Sequence, residues 1–145
     1  MAAATQDIIT ERRQVHLRVQ AGAPAAASQK YYQGTFAGLN ASSGAVRPLV
    51  AGDRFLGLVP EQVDNSSGSA GDKQLRLEGG IEIKRAVTGA SAVGDRGKAV
   101  YATDDNVLTL SSAGNSLVGV VSEWLTGTTC WVHIYTQAEL VAAQA

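Results

Sequence analysis

A chain of 145 residues can form one compact domain with its own core, and 45 % apolar against 17 % charged residues excludes general disorder. Twelve basic and thirteen acidic side chains leave a net charge of −1, and no charge run exceeds Glu11-Arg12-Arg13. That balance gives no concentrated basic face for nucleic acid or a membrane surface. A single cysteine, Cys130, excludes an internal disulfide, and no apolar run approaches the ~18 residues of a membrane helix. No secretory-type segment follows Met1, so the expectation is a protein made in a reducing cytoplasm and unprocessed at its start.

In chain order, residues 1–30 read as an N-terminal arm and residues 31–145 as a β-barrel domain with a short C-terminal tail. The arm carries Ile8 and Ile9, then the alternating Val15-His-Leu-Arg-Val19 and an alanine-rich stretch to Ser28. Its first part is a free segment or a short helix from Thr5 or Gln6, too short to be stable alone. Val15 and Leu17 share one side, which suits either a strand added to a sheet edge, in this subunit or a neighbour, or a plain first strand.

From Tyr31 onward, strand and turn signals recur at short intervals, predicting an all-β sandwich or barrel. The expected strands are 31–37, 45–51, 54–59, 74–78, 81–87, 98–103, 106–111, 116–125 and 128–136. Asn40–Gly44, Ala51–Asp53, the long loop Asp64–Asp72 and Asp104–Asn106 supply the turns. Parity decides one connection. A hairpin at Gly79-Gly80 would put Leu75 and Leu77 on the face opposite Ile81 and Ile83. One strand bent at the glycines puts all four on one face and Arg76, Glu78, Glu82 and Lys84 on the other, so the bent strand is preferred. The run Ser116–Val121 is apolar on both faces and predicts a central strand. In the last strand Cys130, Val132 and Ile134 face inward. Trp131, His133 and Tyr135 crowd the other face, which implies cover by another layer or subunit. Gln137–Ala145 has helix-forming composition, with Leu140 and Val141 as apolar anchors.

No catalytic constellation is visible. His16 and His133 are the two histidines and stand far apart, with one cysteine, where a zinc site needs three or four convergent ligands. Ser67-Gly-Ser-Ala-Gly71 is not a nucleophile elbow, since no strand leads into it and no helix follows. The glycines at 89, 94 and 97 do not form a phosphate loop. Asp64, Asn65 and Asp72, or Asp104-Asp105-Asn106, match no calcium loop and suit turns. The expectation is no enzyme, no cofactor and no metal.

The succession Val63-Asp-Asn-Ser-Ser-Gly-Ser-Ala-Gly-Asp-Lys73, the alternating strand through Gly79-Gly80, and Val93-Gly-Asp-Arg-Gly-Lys-Ala-Val-Tyr-Ala-Thr-Asp-Asp-Asn106 goes further than composition. With Val107–Leu110, Leu117–Val121 and the closing Cys130–Ile134, it resembles the small capsid decoration (cement) proteins of tailed bacteriophages. Gly38-Leu-Asn and Phe55–Val59 also fit, and the resemblance covers about residues 30 to 136. It implies a β-barrel or β-tulip-like domain, a homotrimer on the outer surface of the expanded head, and the major capsid protein as partner. On that reading Ile8, Ile9, Val15, Leu17, Tyr31, Tyr32, Phe36, Trp131, His133 and Tyr135 are the candidate trimer or capsid contacts. An alternative is a β-barrel carbohydrate- or receptor-binding module; a hydrolase with a cryptic site is a third.

Overall fold

The computed structural model describes residues 3–8, 11–13 and 19–144. The described residues are all-β apart from a 3-10 turn at Val93–Asp95 and one C-terminal helix, α1 (Gln137–Gln144). Its strands are β1 (Arg12–Arg13), β2 (Val19–Pro24), β3 (Gln29–Tyr31), β4 (Phe36–Leu39), β5 (Val46–Pro48), β6 (Arg54–Leu58), β7 (Val63–Asn65), β8 (Gln74–Gly79), β9 (Ile81–Thr88), β10 (Ala99–Ala102), β11 (Leu108–Thr109), β12 (Ser116–Thr126) and β13 (Thr129–Ile134).

Two modules hold most of the strands, and β3 and β7 pair as a separate two-stranded ribbon. In the first, β9, β11, β10, β12 and β13 run side by side, and β13 pairs back onto β9 from Thr129↔Ala86 to Ile134↔Ile81, closing a barrel. Within this sheet β9 and β11 pair in parallel. Register shifts at Val100/Tyr101, Val121/Glu123 and Trp124/Thr126 supply the bends that so small a barrel needs. β1 lies on β9 with Arg12 opposite Ile83, ahead of the point where β11 joins. In the second module β2, β8, β6, β4 and β5 form a half-barrel. Its outer strands meet at a single bridge, Ala25 to Val46. Tyr31 closes that seam: its hydroxyl donates to Val46 O at 2.6 Å and accepts from the Ala26 amide at 2.9 Å.

The cores follow this division. Ile81, Ile83, Val87, Val100, Leu108, Val118, Val121, Cys130, Val132 and Ile134 fill the barrel cluster. Tyr31, Ala37, Val46, Val59, Leu75 and Leu77 fill the half-barrel. Phe36 on β4 and Phe55 and Leu58 on β6 belong to the barrel cluster, whereas the neighbouring Ala37 and Val59 belong to the half-barrel cluster, so the modules pack through these strands.

The single strand expected to bend at Gly79-Gly80 is observed as two, β8 and β9, which pair with different strands in different modules. Gly80 makes the bend at φ 78°, a left-handed conformation that glycine adopts without a Cβ penalty. Leu75, Leu77, Ile81 and Ile83 are all buried, but so are Glu78 and Glu82, expected on the solvent side. β12 lies between β10 and β13, as its two apolar faces imply. Other expectations need correction. The run 31–37 is two strands, broken where Gly34 turns at φ 80° and the Thr35 hydroxyl donates to Tyr32 O at 2.6 Å. Val63–Asn65 is a strand paired with β3, where a loop was expected. No helix forms at Thr5–Ile8. Leu140 anchors α1 in the core while Val141 is exposed.

Candidate functional site

The outer face of the barrel, where β13 runs between β12 and β9, gathers the ionisable groups that the sequence scatters. Cys130, Val132 and Ile134 point inward and are fully buried. Strand alternation therefore turns Trp131, His133 and Tyr135 outward. His133 stands in register with Glu82 on β9 and Val120 on β12, and Trp131 with Lys84 and Glu123. A shallow recess beside them is lined by Glu82, Arg96, Ser122, His133, Tyr135 and Glu139.

Despite its outward direction, His133 is only 7 % exposed. Helix α1 provides the cover. Thr136 and Glu139 form a capping box: the Glu139 amide donates to Thr136 Oγ1 at 3.2 Å and the Thr136 amide donates to Glu139 Oε1 at 2.9 Å. The second carboxylate oxygen, Oε2, lies 2.8 Å from His133 Nε2. Burial works against the Glu139 carboxylate, but the Thr136 amide and His133 together outweigh it and hold its pKa below the ordinary glutamate value. Gln137 fastens the helix start to the half-barrel by donating to Phe55 O at 2.8 Å. The His133 and Tyr135 rings meet edge to face, 6.0 Å apart. Glu82, 4 % exposed, accepts the Ser122 hydroxyl at 2.5 Å across the outside of β13.

This arrangement ties its reagents to one another. The Ser122 proton goes to Glu82, and the His133 Nε2 faces Glu139; the serine–histidine hydrogen bond of a nucleophilic pair is not among these contacts. Among the described residues no group of three or more His, Cys, Asp or Glu side chains is placed to hold a metal ion. No helix among them is long and apolar enough to cross a membrane. What remains is a broad face of half-buried Trp131 and Tyr135 rimmed by linked polar groups, continuing past Thr136 into an apolar notch formed by Leu56, Leu77 and Ala138.

The other candidate contacts fall elsewhere. Tyr31 and Phe36 are 0 % exposed, one at the half-barrel seam and the other in the barrel cluster, so internal packing consumes both side chains. Tyr32 is half-buried beneath Lys30, whose Nζ lies 5.3 Å from the ring centroid. Ile8 is half-buried at the junction of the modules. Ile9, Val15 and Leu17 lie outside the described residues. Sequence reading passed over Glu82, Ser122 and Glu139. The Thr136-x-x-Glu139 capping signature was available for the last; nothing local marks the other two, whose contact spans 40 positions.

Comparison with protein-family models finds no match. Comparison with curated proteins finds no relative either.

Proposed function

We propose that this protein is a capsid decoration protein, a structural component that binds the outer surface of an expanded phage head as a homotrimer and stabilises contacts between major capsid proteins. The observation that carries the reading is the outer barrel face: its polar groups are hydrogen-bonded to one another and its aromatics offer area, the composition of a contact surface rather than a reaction centre. The succession of motifs from Val63 to Ile134 supports the same reading by resemblance. Binding only the expanded shell would stabilise it by mass action, and three linked copies would multiply modest contacts. In this reading Trp131, Tyr135 and Tyr32 contribute to the contacts, and the protein is not an enzyme.

Sedimentation of the purified protein with expanded and unexpanded heads tests the proposal. Co-sedimentation with expanded heads alone is expected, together with a native mass of three chains; a monomer that stays in the supernatant with both shells removes it. The half-exposed Trp131 and Tyr135 beside Glu82 and Ser122 also suit a carbohydrate-binding module. Saturable binding on a glycan array, without shell binding, would select that second reading.

A further inference from the structure

The described N-terminal residues run across the junction of the two modules and touch both. The Ala4 amide donates to Asp105 Oδ1 at 3.0 Å, at the turn between β10 and β11. Asp7 Oδ1 accepts from the Gln33 amide at 2.9 Å and from Gln62 Nε2 at 3.0 Å, and the Ile8 amide donates to Gln33 O at 2.7 Å. Beyond this, Glu11 is tied to the barrel, where the Lys84 amide donates to Glu11 O at 2.9 Å, and Arg12 reaches the half-barrel at the buried Glu78 carboxylate, 2.9 Å away. It contacts both modules near each of its ends.

Its own side chains bury little. Ala3, Thr5, Gln6, Asp7, Glu11 and Arg12 are exposed, and Ile8 is the one large apolar residue among those described. Ile8 and Arg12 line a recess of about 90 Å³ together with Gln33, Gly34, Leu58, Val59 and Pro60. Segments with few buried apolar contacts and exposed hydrogen bonds open at a fraction of the global unfolding free energy.

We propose that residues 3–8 and 11–13 form a latch that opens as a unit while both modules stay folded. Lifted, the latch leaves Gln33 O, the Lys84 amide and the Glu78 carboxylate facing outward. The inference stands apart from capsid binding and holds for a monomer or a trimer.

Strand β9 contains its own internal control. The Lys84 amide bonds to the latch, whereas the Val87 amide bonds to Thr128 O within the barrel. Hydrogen exchange on the full chain should show the Ile8, Gln33 and Lys84 amides exchanging at least roughly 100-fold faster than Val87. Arg12→Ala should accelerate those three together by roughly 5- to 10-fold and leave Val87 unchanged. Equal rates at Lys84 and Val87 in the unsubstituted chain would overturn the proposal, because the latch would then open only with the barrel. Acceleration of Lys84 alone in the variant would overturn it too, because the segment would not be a unit.

Discussion

The barrel and the half-barrel solve the same problem, the open edge of a sheet, by different means. Ladder hydrogen bonds close the barrel: β13 pairs with β12 on one side and β9 on the other. The half-barrel stops short, and its outer strands touch at one bridge. Side chains finish the closure, with Tyr31 across the seam and Arg47 gripping Asp53 through two hydrogen bonds of 2.9 and 2.8 Å. A backbone ladder tolerates changes of side chain. A seam made of one phenol does not.

Substitutions can break this comparison. The largest effect is expected at Phe36, which belongs to a half-barrel strand, packs edge to face on Phe55 in the barrel cluster and lies under Arg85. Phe36→Ala should cost about 3–5 kcal/mol and lower both modules in one denaturation transition. Two separate transitions would mean that the modules are independent. Gly119→Ala tests the barrel alone. A Cβ there would run into His133 O, so β12 and β13 must part, at a cost of about 1–3 kcal/mol measured by denaturant midpoint.

Tyr31→Phe tests the seam. Removing the hydroxyl leaves Val46 O and the Ala26 amide without that partner, and about 1–2 kcal/mol should be lost. Exchange at Ala26 should quicken while Val87 in the barrel holds its rate. The smallest effect belongs to Glu139, whose partly exposed pair with His133 is screened by solvent. Because its folded pKa is lowered, its contribution is present above the ordinary carboxylate range and lost as pH falls through the folded value. Glu139→Gln should therefore lower the melting temperature slightly at neutral pH, and the difference from the parent should shrink on acidification towards pH ~3. A difference that grows in acid would contradict the assignment.

The strand pattern was legible where one period governs a run. Alternation placed Leu75, Leu77, Ile81 and Ile83 on one buried face and preferred a bend at Gly79-Gly80 over a hairpin. The same alternation misjudged Glu78 and Glu82, because what allows a carboxylate to be buried is a partner: Arg12 lies 66 positions from one and Ser122 lies 40 from the other. Tyr31 and Phe36 carry equal apolar weight in sequence, yet the turn at Gly34 sends them into different cores. The outer face was half legible. Trp131, His133 and Tyr135 announce a covered surface, but not that α1 supplies the cover through Glu139.

The passage from β8 to β9 has a mechanical consequence. The same polypeptide ribbon is a rib of the half-barrel up to Gly79 and of the barrel from Ile81, and a Cβ at Gly79 would strike Tyr135 O at 2.7 Å. Tension between the modules must therefore travel along a covalent tether anchored by ladders at both ends. Its hydrogen bonds lie crosswise to the strands and are loaded in shear, so they resist together instead of unzipping one at a time.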